Sequence, residues 1–216
     1  MKIKTIEIAG LYTAITGMRN PMNSWAKSDS HFNEDGEFII GANDLKLAQR
    51  LILAGTEHGK FMRQIYISFD ITAPLYWWSE FDTYHYNTKN SCSTMHKLMS
   101  RHVELSDFED FENKEELLKP VIIELNKLVD EHNKPGLTQE KLSQCTRLHS
   151  KNEILIQAKS ILPCSYLQKR TVSSNYQEIR NMYFQRRNHR LPLWRVDFCD
   201  WVATLPYSKE LIMLEK

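Results

Sequence analysis

The stretch LILAGTEHGKFMRQIYISFDITAPLYWWSEFDTYHYNTKNSCSTMHKL, residues 51–98, carries the clearest succession of secondary-structure signals in the chain. Gly55 follows a helical pattern and is typical of the residue just beyond a helix end. From Ile65 to Ile71 apolar and polar residues alternate strictly, which predicts a strand with one buried face. Pro74 suits a helix start, and this helix is predicted to run to residue 88. One face of it comprises Leu75, Trp78, Phe81 and His85.

The sequence before this stretch predicts one strand region and one helix. Residues 2–16 are rich in β-branched residues and indicate a first strand or hairpin. Residues 17–42 indicate a connection with one short helix near Trp25. Asn43 as the N-cap and Asp44 in the first turn then predict the start of the helix that the glycine ends.

The sequence after this stretch is dominated by helical patterns. Asn113, with Glu116 three residues on, predicts a capped helix to about His132, with Pro120 as its start or as a kink. Further helices are predicted at residues 138–149, 152–161, 175–187 and 192–203. The predicted fold class is therefore α+β, a small antiparallel sheet packed by several helices in a single domain over residues 1–216.

Composition excludes several classes of protein. The chain has a net charge of +1 and 25% charged residues, which argues against the dense basic face that nonspecific nucleic-acid binding needs. No apolar run approaches the ~20 residues of a membrane span, and the N-terminus does not read as a signal peptide. The cysteines Cys92, Cys145, Cys164 and Cys199 form no C-x-x-C pair, so we expect free thiols, no metal site and a cytoplasmic protein.

A cluster of arginines near the C-terminus is the exception to this even charge balance. Guanidinium groups hold phosphates or a pyrimidine carbonyl with two hydrogen bonds, which indicates a nucleotide site. The alternative is a solvated helix surface paired with carboxylates. The cluster comprises Arg180, Arg186, Arg187, Arg190 and Arg195.

The 51–98 stretch resembles the core of the flavin-dependent thymidylate synthases. That family carries Arg-His-Arg, seven residues and then Ser, placed by a helix that follows a strand ending in Ala-Pro. Here Ala73-Pro74 ends the predicted strand, Asp82-Thr83-Tyr84 stands where the signature begins, and Cys92 follows after seven residues. The spacing is kept while the residues differ, and a carboxylate at Asp82 would repel the phosphates of FAD.

A second part of the resemblance lies near the C-terminus. Leu162-Pro163 is similar to the Leu-Pro that opens the nucleotide-binding half of the family. The segment NYQEIRNMYFQR then resembles the family's Asn-x-Arg-x-x-x-Asn helix, which ends in an essential Arg. In this register Asn175 and Asn181 are kept, Gln177 replaces Arg, and Arg186 occupies the place of the pyrimidine-contacting Arg, with Arg187 as the alternative.

The resemblance implies a homotetramer that binds FAD at subunit junctions and passes a one-carbon unit from methylenetetrahydrofolate to C5 of dUMP, with NADPH as the reductant. It assigns catalytic contacts to Arg186 and Arg187. It assigns substrate binding to Ser91, Cys92, Ser93, Thr94 and Lys169, and cofactor binding to His58, Asn175, Gln177 and Asn181.

Purely structural roles for these residues stay open as alternatives, and so do other functions. Cys92 is a pyrimidine-attacking thiolate activated by His96, or a small semi-buried side chain. His58 contacts the flavin, or is a surface histidine. The aromatic residues Trp77, Trp78, Tyr84 and Tyr86 stack on a ligand or fill the core. The alternative functions are another pyrimidine-modifying enzyme on the same scaffold, and a nucleotide-binding or interaction protein without catalysis.

Overall fold

The strands form one sheet and one short hairpin in residues 1–134 and 150–215, which the computed structural model describes. They are β1 (Lys2–Ala9), β2 (His31–Phe32), β3 (Phe38–Ile39), β4 (Tyr66–Pro74), β5 (Thr88–Ser91) and β6 (Leu167–Asn175). The sheet is antiparallel with the order β1-β4-β6-β5, and β2 pairs with β3 as an antiparallel hairpin. The predicted α+β class, a small antiparallel sheet packed by helices, is confirmed.

Helices occupy much of the remaining described chain. They are α1 (Leu11–Gly17), α2 (Ala42–Leu53), α3 (Leu75–Phe81), α4 (Thr94–Lys97), α5 (Lys114–Asn133), α6 (Lys151–Ile161), α7 (Tyr176–Arg186) and α8 (Cys199–Ala203). Within these residues no helix is long and apolar enough to cross a membrane. The helix predicted at residues 138–149 lies outside the described residues, while the other predicted helices from residue 113 onward find a counterpart.

The chain divides into two compact units. The first comprises Met1–Ile71, Tyr84–Asn90 and Thr171–Lys216, and the second comprises Thr72–Thr83 and Ser91–Arg170. The single domain over residues 1–216 stays a prediction.

The 51–98 stretch folds largely as its pattern indicates. Helix α2 ends before Gly55, which has φ 120°, and β4 buries Ile67, Phe69 and Ile71 on one face. Two details differ. Gly41, not Asn43, is the N-cap of α2, because the Asp29 carboxylate accepts hydrogen bonds from the first backbone amides and replaces a local cap.

The helix after Pro74 is shorter than predicted. Helix α3 ends at Phe81, so His85 is not on its face, and the chain turns toward β5 instead of continuing to residue 88. Trp77, Trp78 and Phe81 are fully buried and pack edge-on or tilted against one another, with ring centroids 5.0–5.4 Å apart. These aromatic residues belong to the core of the second unit.

The N-terminal segment is only partly a strand. Residues 2–9 form β1, but the predicted strand or hairpin stops at Gly10, and α1 follows with Ala14 and Ile15 buried. Gly10 has φ 87°, a conformation that other residues rarely adopt. A Cβ atom there would lie 2.1 Å from the backbone oxygen of Gln64, so the turn from strand to helix requires glycine.

The connection predicted at residues 17–42 contains more structure than one short helix. It includes two single 3₁₀ turns, Asn20–Met22 and Trp25–Lys27, followed by the β2-β3 hairpin. The second turn agrees with the helix predicted near Trp25. Only two residues of each strand pair, which is too short for alternation to reveal a strand.

In the second unit α5 and α6 pack together over an apolar core. Helix α5 carries Pro120 within it, so the proline is not its start. Asn113 is the N-cap residue of α5, as predicted, but it has φ 57° and its side chain makes no capping hydrogen bond, so the predicted capping box is wrong. Ser150, in contrast, caps α6 in a capping box with Glu153. The core between the two helices includes Leu125, Leu128, Val129, Ile154 and Ala158.

A buried ion pair joins the connection to α2 in the first unit. Arg19 is 4% exposed and Asp44 is fully buried, and the two side chains form an ion pair. Asp44 also accepts hydrogen bonds from the hydroxyls of Ser28 and Ser30. Burial by itself would raise the pKa of Asp44, but these hydrogen bonds and the Arg19 charge outweigh burial and hold the pKa below its ordinary 3.8.

We expect Asp44→Asn to lower the free energy of unfolding by about 3–5 kcal/mol, because it leaves the buried Arg19 charge unpaired. Since the folded pKa is the lower one, the ionised pair stabilises fully above about pH 4, and this contribution is lost as the pH falls through the folded value. Urea unfolding from pH 7 to pH 2 should therefore show an acid-dependent loss that is weaker in the variant. An equal loss for the exposed control Asp35→Asn would contradict this account.

Candidate functional site

Arg186 lies in an aromatic cradle at the end of α7 in the first unit. Its Nε donates a hydrogen bond of 2.9 Å to the hydroxyl of Tyr84. The guanidinium carbon lies 4.7 Å from the ring centroid of Trp194 and 5.4 Å from that of Tyr84. Tyr84 is in turn fixed by its own hydroxyl, which donates to Gln185 Oε1 at 3.0 Å. These contacts hold the plane of the guanidinium in one orientation, as a bidentate contact to a planar ligand requires.

The neighbouring arginines have other partners. Arg187 forms an ion pair with Glu215, whose hydrogen bond raises the pKa of Arg187, and its guanidinium lies 4.8 Å from the ring of Phe184. Arg180 donates to the backbone oxygen of Ile212 at 2.6 Å, and burial lowers its pKa. Arg180 therefore connects α7 to the C-terminal segment. This gives one member of the predicted arginine cluster a structural role.

Three of the residues predicted to bind the cofactor lie on α7 or at its start. The side-chain oxygen of Asn175 accepts a hydrogen bond from the backbone amide of Glu178, so Asn175 is the N-cap. Gln177 is buried and donates to Asn181 Oδ1 at 3.1 Å. A Cβ atom at Gly59 would lie 3.8 Å from Gln177 Oε1, so the turn that follows the exposed His58 packs against this helix.

Glu178 is a buried carboxylate in this group that the sequence did not indicate. It is 4% exposed, and burial raises its pKa. Hydrogen bonds from Asn181 and from the backbone of Tyr86, together with the charge of His85, oppose that effect. A Glu in the first turn of a helix usually reads as a surface residue, so the pattern gave no signal for this burial. Here it holds the segment after Tyr84 against α7.

The residues predicted to bind the substrate lie together in the second unit. The backbone amide of Cys92 donates to the Lys169 oxygen at 2.9 Å, and Gln168 Nε2 donates to the Cys92 oxygen at 2.8 Å. Ser93 caps the short helix α4, its hydroxyl accepting from the His96 amide. The side chains of Ser91, Cys92 and Lys169 are exposed, and those of Ser93 and Thr94 are half-buried.

Asp82 is neutralised by a residue that the sequence analysis missed. Arg170 Nη1 lies 2.9 and 3.0 Å from the two carboxylate oxygens of Asp82. Arg170 also donates from Nε to Gln168 Oε1 at 2.9 Å and stacks 4.3 Å above the ring of Trp78. The repulsion expected between Asp82 and an anionic ligand is therefore offset within the second unit. Only the pairing of Arg170 with α3 in three dimensions reveals this, because the two residues are 88 positions apart.

The described residues contain no group of three or more His, Cys, Asp or Glu side chains that could hold a metal ion. Three of the cysteines are described, and all three are free thiols. Burial raises the pKa of Cys199 to about 11, so that thiol is unreactive at neutral pH. Cys92 is exposed, in contrast to the semi-buried alternative.

Among the comparisons with known proteins, only the comparison of structures finds a match. No family model matches the sequence, and no curated protein matches it. The fold is similar to the crystal structure of the flavin-dependent thymidylate synthase ThyX from Helicobacter pylori complexed with FAD and dUMP, with a TM-score of 0.69 and 18% identity over 98% of each chain. A second structure of Helicobacter pylori thymidylate synthase X with FAD and dUMP gives a TM-score of 0.68 and 17% identity, covering 98% of this chain and 97% of that one. This chain therefore has the fold of a flavin-dependent thymidylate synthase.

We expect a coupling of about 0.5–1 kcal/mol between Arg170 and Asp82 in a double-mutant cycle with Arg170→Met and Asp82→Asn, because Asp82 is partly solvated and its ion pair is screened. Urea unfolding of the four proteins measures it. Arg170→Met should cost more than Asp82→Asn, since it also removes the hydrogen bond to Gln168 Oε1 and the stacking on the ring of Trp78. Zero coupling would show that the pair does not act together in solution.

Proposed function

We propose that this protein binds dUMP or a related pyrimidine deoxynucleotide together with FAD, and that it transfers a one-carbon unit to C5 of the uracil ring. The observation that carries the proposal is the Arg186 cradle. A guanidinium held flat by Tyr84 and Trp194 at the end of α7 suits a planar ring with carbonyl acceptors. The fold supports it, because the similar Helicobacter pylori structures hold FAD and dUMP.

We also propose phosphate contacts for a set of groups in the second unit. We assign this role to Ser91, Cys92, Ser93, Thr94 and Lys169, which the backbone bonds around Cys92 bring together. The ammonium of Lys169 and the hydroxyls are donors that a phosphate accepts. Because Asp82 is paired with Arg170, its carboxylate does not dominate the field of this segment.

We assign the contacts with the flavin to α7 and to the turn at His58. The side-chain amides of Gln177 and Asn181 are hydrogen-bonded to each other. The side chain of Asn175 caps the start of the same helix. FAD would supply the redox and one-carbon chemistry when bound, with methylenetetrahydrofolate as the donor and NADPH as the reductant. The protein groups orient the pyrimidine and the flavin. Flavin absorbance near ~450 nm in the purified protein tests whether the flavin binds.

One observation favours a different reaction on the same scaffold. The family's Arg-His-Arg signature is replaced here by Asp82-Thr83-Tyr84, and the cation paired with Asp82 comes from β6. A site with this change of charge suits another modification of a pyrimidine, which mass spectrometry of the product formed from dUMP would identify. Binding of both ligands without turnover would support the third function, a nucleotide-binding protein without catalysis.

We also propose that the protein is a homotetramer in the cytoplasm. The support is the similarity to ThyX in fold and the exposure of large apolar side chains such as Tyr12, Phe32 and Tyr66, as on surfaces that other chains cover. Light scattering that gives the mass of one chain at micromolar concentration would contradict the tetramer.

Replacing Arg186 by Lys should weaken dUMP binding about 10- to 100-fold, because a point charge cannot reproduce a bidentate contact and its loss costs about 1.5–3 kcal/mol. Isothermal titration of the purified variant with dUMP measures the change. The exposed Arg190 in the Arg190→Lys variant is the matched control and should bind as the parent protein does. Unchanged affinity in a folded Arg186→Lys would move the contact to Arg187 or remove the proposed site.

The Cys92→Ser variant should keep most dUMP affinity and any turnover, since Ser is similar in size and donates a better hydrogen bond. In the described residues no hydrogen bond joins the Cys92 thiol to His96, whose backbone amide donates to the Ser93 hydroxyl. Steady-state kinetics and dUMP titration give the result. Complete loss of turnover with intact affinity would instead identify Cys92 as a nucleophile, because a hydroxyl without a base attacks far more weakly than a thiolate.

A further inference from the structure

Residues 84–87 bring Tyr84 to the cradle of Arg186 but form neither a helix nor a strand. Within this segment the side chain of Asn87 donates to the backbone oxygen of Tyr84 at 3.0 Å, which closes a local turn. A segment without a regular ladder of backbone hydrogen bonds keeps its place through contacts with neighbouring elements. The contacts that hold this segment therefore decide where Tyr84 lies.

The backbone of Tyr86 is held from both sides by residues near the junction of β6 and α7. Its N–H donates to the carboxylate of Glu178, and its carbonyl oxygen accepts from the hydroxyl of Ser174 at 3.3 Å. Glu178 is 4% exposed and Ser174 is 6% exposed, so both partners are shielded from water. The side chain of Tyr86 is 77% exposed, so the segment is held here by its backbone and not by this ring.

The same segment contacts α7 at a second point. The hydroxyl of Tyr84 donates to Gln185 and accepts from Arg186 in the last turn of the helix. Glu178 and Arg186 are eight residues apart, about 12 Å along the axis at 1.5 Å per residue. Residues 84–87 are thus attached near both ends of α7. A displacement of Tyr86 would consequently shift Tyr84 relative to the guanidinium.

The charge of Glu178 is unfavourable for the stability of the fold. Burial raises the pKa of Glu178 above its ordinary 4.5, and the hydrogen bonds from Asn181 and Tyr86 only partly oppose that effect. The charge of His85, in the same segment, also opposes it. Because the folded pKa is the higher one, the stability that Glu178 contributes is full below about pH 4.5 and falls as the pH rises through the folded value. An ionised carboxylate here therefore needs an explanation other than stability.

We propose that Glu178 is a positioning residue, whose carboxylate fixes the backbone of Tyr86 and thereby holds Tyr84 against the guanidinium of Arg186. A carboxylate accepts hydrogen bonds from Tyr86 and Asn181 at the same time, and its charge strengthens both. Glu178 acts through Tyr84 and does not itself contact a ligand. The consequence for dUMP rests on the proposed function, whereas the effect on the segment can be measured without a ligand.

Hydrogen exchange of the unliganded protein tests the effect on the segment. Glu178→Gln should accelerate exchange at the Tyr86 amide by about tenfold or more, because Gln has one acceptor oxygen and no charge. Exchange rates of single amides measured by NMR give the result. The amide of Phe69 in the core strand β4 should exchange as in the parent protein. The control variant Glu34→Gln, at an exposed position of the same unit, should change neither rate.

Urea unfolding separates a positioning role from a purely structural one. At pH 7 Glu178→Gln should have a free energy of unfolding equal to that of the parent or above it, and the difference should shrink as the pH is lowered to about 4. A purely structural role predicts a less stable variant with faster exchange throughout the first unit, and that result would overturn the inference.

Glu178→Asp replaces the first variant if Glu178→Gln does not fold. It keeps the charge, but its side chain is one methylene shorter and should lose the contact with Tyr86. Exchange at the Tyr86 amide should then accelerate in the same way. An unchanged rate at that amide, in whichever variant folds, would contradict the proposed role of Glu178.

Titration with dUMP tests the consequence for the candidate site. Glu178→Gln should weaken binding about three- to tenfold, since a smaller fraction of the molecules holds the cradle in the form that binds. In a Tyr84→Phe background, which lacks the hydroxyl bonded to Arg186, the same change should have little further effect.

The two measurements distinguish this inference from the proposed function. A parent protein that does not bind dUMP would refute the proposed function, while the exchange rate at Tyr86 would still decide whether Glu178 holds the segment. Faster exchange with unchanged dUMP affinity would show that Glu178 holds residues 84–87 without positioning Arg186, and would refute the positioning role.

Discussion

The hydrogen bond from the Glu178 amide to the side chain of Asn175 is the contact on which the candidate site depends most directly. It stops β6 and starts α7 at one residue. On one side of Asn175 the strand carries Gln168, Lys169 and Arg170, and on the other side the helix carries Gln177, Asn181 and Arg186. The cap fixes where α7 begins, and the buried side chains of Tyr176, Ile179 and Met182 fix which of its faces points inward. Arg186, eleven residues after the cap, lies beside Tyr84 and Trp194.

The sequence predicted the elements with strong periodicity and missed those fixed by distant partners. The β4 alternation and the glycine beyond α2 are local signals, and both predictions held. The caps predicted at Asn43 and Asn113 differ from the structure in different ways. Asp29 accepts the first amides of α2 from outside that helix, while Asn113 is the N-cap of α5 with a left-handed backbone and makes no capping hydrogen bond. Neither outcome can be predicted from the few residues that a capping pattern includes.

The residues of the candidate site also fall into those that the sequence indicated and those that it did not. Arg186 and the amides on its helix were indicated by a resemblance in spacing, and their roles in binding stay predictions. The partner of Asp82 was not predictable, because Arg170 lies on a strand whose position relative to α3 only the folded chain defines. Buried Glu178 and the ion pair of Arg19 with Asp44 belong to the same class. Charged residues read as surface residues in a sequence, and their burial depends on contacts from elsewhere.

Gly10 shows a constraint on this fold that does not depend on chemistry. The similar Helicobacter pylori structures share only 17–18% of residues with this chain. The steric limit at residue 10 is of another kind, since any side chain there would enter the space of the Gln64 backbone oxygen whatever reaction the protein performs. An exposed side chain can be exchanged without moving the backbone, but a side chain at residue 10 would require the whole turn between β1 and α1 to move. The space available to one atom beside the Gln64 backbone oxygen therefore limits which sequences can adopt this fold.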